Sequence, residues 1–549
     1  MLSAATDGVV MGELRPGRYL MNIGIRSSWL VACVAILVVG STMLVVMGSE
    51  DAMVIGLNAD AKTLGPPATN NDQCVTFRIY SALTQSDEGF HPAPDLARSW
   101  EVSEDSLTYT FHLDPAARFH DGTPVTADDV EFSIMEINNE LVSVASRGLV
   151  PAIESVEKPD EHTIVFHMRY PYPHALDPYY GFGPRCTTIV KKADWEGTDY
   201  LMNPYNFDPV GSGPYKCVEW VRGSHIVLER WEEYWAEKPA IKTIVYRIIS
   251  DPNAMSLALE NGEVDWVPYT LAMSEVDRLN HVPGVSAAFH GTPCGDSISL
   301  RFNLRKAPFD AIDVRRAIAY AINRDRIPGM AYYGGAEAAE GFVMATPFSS
   351  AWVNRDLRQA WYDPTLAGAI LDAAGYPVGP DGWRFRTTLH TTPYFPEDIY
   401  VAELVKADLA EVGIDVKLVS LDYAAWVDET FVAWDFDMNL SSLCSGPVPT
   451  AMARLASSNI RPVAWANDMG FRSAEYDVLL ELHDDDPANY LAYVHRMQEV
   501  LNEQQPMVHL VHKLAASAWN SAEFTSKHPE FWNGLGYFLM RLTDVIVNE

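Results

Sequence analysis

The stretch that decides the fold is Asn206–Trp235, NFDPVGSGPYKCVEWVRGSHIVLERWEEYW. Residues 211–214, GSGP, predict a stiff turn, because glycine accepts positive φ and proline fixes φ. Aromatic and β-branched residues then dominate residues 215–221 and 225–230, which predicts two strands. The intervening Arg222-Gly223 suits a hairpin turn. The pattern predicts a β-hairpin, a feature that many folds share.

Length and composition limit the classes of protein that need to be considered. A chain of 549 residues is too long for one hydrophobic core, so we expect two to four domains. Apolar residues make up 48% and charged residues 21%, which is a globular composition. The net charge of −33 argues against a nucleic-acid ligand and against docking onto anionic lipid, since both depend on Lys and Arg. The charge indicates an acidic, soluble surface.

Cysteine is sparse, and no CxxC spacing occurs. The six cysteines are Cys33, Cys74, Cys186, Cys217, Cys294 and Cys444. Cys33 lies in an apolar segment, which leaves five, so at least one is unpaired if all bonds are intramolecular. One or two disulfides and burial as free thiols are both open alternatives.

The N-terminal region carries an apolar, uncharged segment over residues 29–48, after three arginines and before two acidic residues. A basic flank and an apolar run are typical of a signal peptide, but about 20 residues also suffice to span a bilayer as a helix. A cleaved signal peptide and an uncleaved N-terminal anchor therefore remain open, and either Met1 or Met21 could be the start. Cys33 lies inside the run, which argues against a lipoprotein signal. The basic flank places the bulk of the chain outside the cytoplasm, in the periplasm or on the outer face of the cell membrane.

Periodicity along the rest of the chain predicts an α/β protein. Besides the hairpin, we expect strands over residues 53–58, 108–113, 162–168, 241–249, 264–267, 298–304, 415–419 and 437–442. We expect helices over residues 253–260, 313–322, 365–374, 399–412, 476–483 and 489–502. Thr126 and Asp129 have the spacing of a capping box, and residues 64–72 are expected to form a loop.

No pattern in the chain indicates catalysis or a metal site. P-loop, HExxH and GxSxG motifs are missing from the sequence. His120-Asp121 is interpreted as part of a turn, His509 and His512 as strand residues, and residues 483–486 as a solvated helix end. We therefore expect no catalytic residue, no metal ligand and no cofactor. Most of the 15 Trp and 25 Tyr residues are expected to fill cores, and only a few to face a ligand.

Four segments, in order, resemble the family 5 solute-binding proteins of ABC importers, which include the peptide-, dipeptide- and oligopeptide-binding types. They are the hairpin, Phe119–Val130 (FHDGTPVTADDV), Phe302–Asp325 and Leu409–Val416 (LAEVGIDV). The resemblance runs from about Met53 to the C-terminus.

The resemblance implies an α/β, two-lobed fold of the periplasmic-binding-protein type II class, with an extra domain inserted in the first lobe. By analogy, residues 1–49 would be the signal peptide or anchor. The implied boundaries are 50–92, 203–296 and 515–549 for lobe I, 93–202 for the insert and 297–514 for lobe II. The two lobes would close on a solute between them.

The resemblance also implies ligand-binding positions. They are Asn70, Asn71 and Asp72 in the first lobe, Arg301, Tyr394 and Glu397 in the second, and Ser441, Ser442, Cys444 and Ser445 in a segment that holds the amine of a peptide. Well-known peptide binders place an Asp after this last segment, where this chain has Gly446. Together with Arg301, this departure suggests a modified or anionic peptide or an oligosaccharide. The alternatives are a surface or lobe–lobe ion pair for Arg301 and a buried strand with small side chains for Ser441–Ser445.

The sequence thus predicts an extracytoplasmic solute-binding protein that captures a peptide or related solute and delivers it to an ABC permease. A receptor for an oligosaccharide or a metal chelate on the same fold is the alternative, and an enzyme is a remote one. The expected partners are the solute and the permease subunits, with the membrane added if the N-terminal segment is uncleaved. We expect a monomer and no nucleic-acid partner.

Overall fold

A computed structural model of the chain describes residues 51–66, 70–87, 91–137, 149–172, 175–176, 181–183, 187–291, 296–343, 352–394, 396–444, 456–460, 466–486, 489–527, 532 and 545–548. All of them belong to one compact unit, Glu50–Glu549. The segment over 29–48, for which a signal peptide or anchor is predicted, lies outside the described residues. Within the described part, no helix combines the length and apolar character that a membrane crossing needs.

The strands are numbered in chain order. They are β1 (Ala52–Leu57), β2 (Thr84–Ser86), β3 (Pro92–Pro94), β4 (Ala97–Val102), β5 (Thr108–Leu113), β6 (Ile153–Asp160), β7 (Thr163–Met168), β8 (Tyr215–Val221), β9 (His225–Arg230), β10 (Thr243–Ile248), β11 (Trp266–Val267), β12 (Val285–Gly291), β13 (Asp296–Phe302), β14 (Ala336–Ala338), β15 (Phe385–Thr391), β16 (Ile414–Ser420), β17 (Met438–Cys444), β18 (Met507–Asn520), β19 (Phe524–Ser526) and β20 (Val545–Val547).

The helices are numbered in the same way. They are α1 (Asn70–Ile79), α2 (Ala127–Phe132), α3 (Leu149–Ala152), α4 (Lys192–Trp195), α5 (Pro252–Glu260), α6 (Val276–Leu279), α7 (Ile312–Ala321), α8 (Ile327–Tyr332), α9 (Pro364–Ala373), α10 (Pro396–Glu411), α11 (Tyr423–Val427), α12 (Ala474–Asp485) and α13 (Tyr490–Gln504). Short π-helical segments follow α2 and α11.

The long strand β18 joins two halves of one mixed sheet. Its first part, through Lys513, pairs with β13 and β14, and from Leu514 onward it pairs with β12 and β11. The first half-sheet continues through β11, β1, β10, β9 and β8, and the second half-sheet through β13, β17, β15 and β16. The one strand therefore belongs to both half-sheets and carries the chain from the second back to the first.

The described residues form four hydrophobic cores, which pack on the two half-sheets and on a separate smaller sheet. One core lies on the first half-sheet around Ile55, Tyr215 and Trp266. The second half-sheet packs α7, α8, α9 and α10 on one face, around Ile318 and Leu409. Its β18 end contributes to a further core built on α12 and α13. The remaining core belongs to a separate four-stranded sheet, β4-β5-β7-β6, packed on α2.

The hairpin has the predicted bounds, with Gly223 in its turn at φ 69°. The reason predicted for the two glycines of the GSGP turn is wrong, because neither is among the residues with positive φ. They are required by close approach instead. A Cβ on Gly211 would lie 2.0 Å from the carbonyl oxygen of Ile79, and a Cβ on Gly213 would lie 2.7 Å from that of Arg78. The turn closes the C-terminal end of α1, where the N–H of Gly213 donates to the Ile79 carbonyl at 2.8 Å.

The GSGP turn also contacts the FHDGTPVT segment, about 90 residues earlier. His120 Nδ1 accepts the N–H of Gly211 at 3.2 Å, and His120 Nε2 donates to the carbonyl of Gly213 at 3.0 Å. Lys216 Nζ donates to the His120 carbonyl at 2.8 Å, and the ring of Trp231 packs edge-on against the imidazole. Two of the segments that resemble the family therefore form one interface between the hairpin and the neighbouring domain.

Other local predictions have mixed outcomes. Thr126 and Asp129 form the predicted capping box, with the Thr126 N–H donating to Asp129 Oδ2 at 2.9 Å. The loop predicted over residues 64–72 is wrong at its end, because α1 begins at Asn70. Asn and Asp favour the first turn of a helix as well as loops, and the prediction extended the preceding Gly-Pro loop too far. Cys217 is a free thiol, and the other cysteine side chains lie outside the described part.

Candidate ligand-binding site

The carboxyl ends of three parallel strands meet at one edge of the second half-sheet. β15 runs parallel to β16 on one side and to β17 on the other. In open α/β sheets, ligands bind outside the carboxyl ends of the strands. We call this the carboxyl edge, and it consists of residues 391–394, 420–423 and 442–444. The N–H of Leu421 donates to the carbonyl of Thr391 at 3.0 Å and holds two of these strand ends together.

Two of the predicted site residues come from the chain after β15. Tyr394 lies three residues beyond the strand and is 65% exposed. Its N–H donates to Thr392 Oγ1 at 3.4 Å, which holds the loop in a turn. Glu397 lies in the first turn of α10 and is partly exposed. Both residues therefore lie at or beside the carboxyl edge.

The predicted serine segment forms the end of β17. Ser441 is buried on the face away from the helical core, and its carbonyl accepts the Ser299 hydroxyl at 3.3 Å. Ser442 is partly exposed. Cys444 ends the strand, but its side chain and all of Ser445 lie outside the described residues. The burial of Ser441 favours the small-residue strand interpretation for that position, whereas Ser442 lies at the edge.

The backbone of Arg301 lies away from the end of β17 by register, and its charge is paired. Its strand partner is Asn439, whereas the residue opposite Cys444 is Asp296. This offset of five residues spans about 17 Å of strand. Arg301 is 0% exposed, and its Nη1 lies 3.2 Å from Asp468 Oδ1 in a fully buried ion pair. A ligand contact by Arg301 stays a prediction. The described contacts show an ion pair, but a fully buried one and not the surface or lobe–lobe pair of the alternative.

The guanidinium nevertheless touches the strand that leads to the edge. Its Nη2 donates to the carbonyl of Ser442 at 3.4 Å, and its Nε donates to Ser299 Oγ at 3.3 Å. Arg301 and Asp468 therefore lie beneath the end of β17. Their pairing leaves no net charge there, since a buried charge is stable only when it is paired.

Asp468 extends this buried network towards the aromatic residues of α11. Asn439 Nδ2 donates to Asp468 Oδ2 at 3.2 Å, and Asn439 Oδ1 accepts the indole N–H of Trp426 at 2.9 Å. Trp426 is fully buried and packs on Phe431 with ring centroids 5.4 Å apart. Because every link is buried, the network holds α11 against β17 in one arrangement.

Tyr423 lies at the carboxyl edge, although no sequence pattern predicted it there. It begins α11, directly after β16, and is 37% exposed. Its ring lies 4.7 Å from the ring of Tyr394, with the planes tilted by 39°, and 6.0 Å from Trp426. No local pattern marks this residue, because its position follows from the parallel pairing of β15 and β16. The exposed aromatic pair Tyr394–Tyr423 is the most prominent described feature of the carboxyl edge.

The first-lobe residues Asn70, Asn71 and Asp72 begin α1, the helix that follows β1. β1 is parallel to β10 and β11, so these three residues belong to the segment that leaves the carboxyl end of the first half-sheet. Their backbone is helical, and their side chains lie outside the described part. Each lobe's predicted residues thus follow the carboxyl ends of its own parallel strands, with Arg301 as the exception.

The two histidines of β18 are buried and held neutral. Burial lowers the pKa of His509 to about 3 and that of His512 to about 4. His509 Nδ1 lies 3.4 Å from Ser297 Oγ, and its ring packs edge-on against Phe342. The described residues contain no group of three His, Cys, Asp or Glu side chains that could hold a metal ion.

The chain is similar in sequence to known proteins. Residues 91–459 match the family model described as bacterial extracellular solute-binding proteins, family 5 Middle. The dipeptide-binding protein of Escherichia coli K12 is 30% identical over 423 residues, which cover 68% of this chain and 75% of that protein. The oligopeptide-binding protein AppA of Bacillus subtilis is 26% identical over 451 residues, which cover 79% of this chain and 80% of AppA.

Solved structures show the same two-lobed fold. The DppA periplasmic binding protein of Helicobacter pylori, in complex with the peptide STSA, has a TM-score of 0.70 at 25% identity, covering 91% of this chain and 98% of that one. NikA of Brucella suis, in complex with Fe(III)-EDTA, has a TM-score of 0.78 at 22% identity, covering 90% and 100%. The fold, the family match over two thirds of the chain and the dipeptide-binding relative agree, and the chain belongs to the extracellular solute-binding proteins of family 5.

Proposed function

We propose that this protein captures a peptide or a closely related solute between its two lobes and delivers it to the permease of an ABC importer. The observation that carries the proposal is the carboxyl edge of the second half-sheet, where the rings of Tyr394 and Tyr423 are in contact. The likeness to dipeptide- and oligopeptide-binding relatives supports a peptide-type solute. The protein performs no chemistry on the solute in this proposal.

The lobe boundaries that we propose follow the strand pairing. β12 and the later part of β18 belong to the first half-sheet, and β13 and the earlier part of β18 belong to the second. The two crossings between lobes then lie near residues 291–297 and 513–515, which supports lobe II at 297–514. The independent core of β4–β7 supports an inserted domain within 93–202. Such crossings can act as hinges for closure on a solute.

We further propose that residues 1–49 direct export and are either removed or retained as an anchor, and that the chain acts as a monomer outside the cytoplasm. The ligand set in this proposal comprises the predicted first-lobe residues Asn70–Asp72 and the second-lobe residues Tyr394, Glu397 and Ser442, together with Cys444 at the end of β17 and Ser445 next in the sequence. Arg301 and Ser441 support the strand from beneath.

Thermal unfolding of the purified protein with a panel of probes tests the function. The panel contains tripeptides, cello-oligosaccharides and a nickel–histidine chelate. A solute that binds only the native state at about 100 times its Kd adds about 2.7 kcal/mol to the free energy of unfolding. We expect peptides to raise the midpoint. Stabilisation by the sugar or chelate alone would favour the non-peptide alternative, and turnover of any probe would contradict a binding-only function.

A further inference from the structure

We propose that Tyr394 and Tyr423 form an aromatic platform that receives an aromatic side chain of the peptide solute. This inference rests on the proposed function, because it places the platform inside the same ligand cleft. It adds Tyr423 as a specificity-determining residue and defines the class of side chain that the second lobe prefers.

The position of the pair is the first support. Large exposed aromatic residues occur at several described places, but Tyr394 and Tyr423 follow two neighbouring parallel strands, β15 and β16. They therefore lie where ligands bind in sheets of this kind. Their rings are already in contact, at 4.7 Å between centroids, and an additional ring can join them in an offset or edge-to-face arrangement.

The rigidity of the support is the second argument. Asp422 caps α11 by accepting the N–H groups of Ala424 and Ala425, both at 3.1 Å, which fixes the start of the helix at Tyr423. One turn later, Trp426 is locked to Asn439 by its indole N–H. An aromatic surface that is held in place before binding loses less conformational entropy when the solute arrives.

The electrostatics around the pair are the third argument. Beneath the neighbouring strand end, Asp468 pairs with Arg301, and the histidines on β18 are neutral. Within the described edge, the charged side chain is Asp422, whose Oδ1 already accepts the N–H groups of Ala424 and Ala425, and Thr392 and Ser442 add hydroxyls. An edge without a free cation, whose carboxylate is already hydrogen-bonded, suits an uncharged, flat side chain better than an ionised one.

Isothermal titration of the full chain with Ala-Phe-Ala and Ala-Ala-Ala tests the platform. We expect the wild type to bind the Phe peptide about 10-fold more tightly. Tyr423→Ala should abolish this preference by weakening the binding of the Phe peptide more than that of the Ala peptide, whereas Tyr423→Phe should keep the preference. Tyr400→Ala is the matched control, because Tyr400 is 57% exposed on α10 but outside the pair, and it should behave like the wild type.

The possible outcomes separate the platform from the proposed function. Equal wild-type affinity for the two peptides, or equal loss for both in Tyr423→Ala, would overturn the platform and leave peptide binding standing. Cellotriose is a second probe in the same titration. If cellotriose binds and the peptides do not, and if Tyr423→Ala lowers the affinity for cellotriose about 10-fold, peptide capture is wrong. The proposal of an aromatic peptide side chain on the platform is then overturned as well. Tyr394→Ala provides a second exposed variant, should Tyr423→Ala fail to fold, and must give the same loss of preference.

Discussion

Protonation of His120 should weaken the contact between the hairpin and the FHDGTPVT segment. In the folded protein the imidazole uses both nitrogens, since Nε2 donates to the Gly213 carbonyl and Nδ1 accepts the Gly211 N–H. A second proton would have to sit on Nδ1, where it would face another N–H donor. Burial, together with the nearby Lys216, lowers the pKa of His120 from 6.5 to about 4, against the raising effect of the Gly213 carbonyl.

The magnitude follows from the difference between the folded and unfolded pKa values. A folded-state pKa below the unfolded value contributes stability that is present above pH 6.5 and is lost as pH falls towards 4. The difference of about 2.5 pH units corresponds to about 3 kcal/mol when the loss is complete, at 1.36 kcal/mol per unit. At pH 5 the expected loss from this residue is about 2 kcal/mol.

Urea unfolding at pH 7, 5 and 4 of the wild type and His120→Gln measures this contribution. Glutamine cannot take up the proton, so the variant should be less stable at pH 7 but should lose about 2 kcal/mol less than the wild type between pH 7 and pH 5. His281→Gln, which changes an exposed histidine, should keep the wild-type pH dependence. An NMR titration of the His120 imidazole near 6.5, or identical losses in wild type and His120→Gln, would refute the reasoning.

Three further predictions follow from single contacts. Gly211→Ala should cost about 3 kcal/mol in urea unfolding because its Cβ would strike a backbone carbonyl at 2.0 Å, whereas Gly223→Ala, with open space but φ at 69°, should cost about 1 kcal/mol. Asp468→Asn should cost about 3–5 kcal/mol by leaving Arg301 buried and unpaired, and the double variant with Arg301→Gln should recover part of that loss. Burial raises the pKa of Asp265 to about 6, so the contribution of its protonated form to the free energy of unfolding is lost as pH rises from 3.8 to 6. Asp265→Asn should remove about 3 kcal/mol of this change in the free energy of unfolding with pH. An unchanged pH profile of stability in the variant would contradict this prediction.

Local patterns in the sequence were sufficient for the elements whose cause is local. Such elements are the hairpin strands, the capping box of α2 and the C-terminal ends of the helices predicted over residues 365–374 and 399–412. They depend on residues close to each other in sequence, and the structure has them within one residue of the prediction. The requirement for glycine at position 211 has a distant cause. It follows from the close approach of α1, more than 130 residues earlier, which the sequence of the turn does not show.

The features that could not be predicted depend on tertiary pairing. The interpretation of His509 and His512 as strand residues is confirmed by β18. The length of this strand was not predicted, because most of its 14 residues are buried and lack the alternation that marks a half-exposed strand. Its change of partners between Lys513 and Leu514 follows from the two half-sheets, which no local pattern shows. Tyr423 likewise acquires its position from the parallel pairing of β15 and β16.

An inference about the ligand can also fail because it depends on a tertiary contact, as Arg301 shows. The resemblance to the family suggested a cation available to an anionic solute, but Asp468, which neutralises it, lies 167 residues later in the chain. Since the pair is fully buried, its net field at the carboxyl edge is that of a dipole and not of a free charge. The suggestion of an anionic solute therefore loses its main support. Arg301 therefore supplies no free cation for selectivity at the described part of the edge, and Tyr394 and Tyr423 are the large aromatic side chains exposed there.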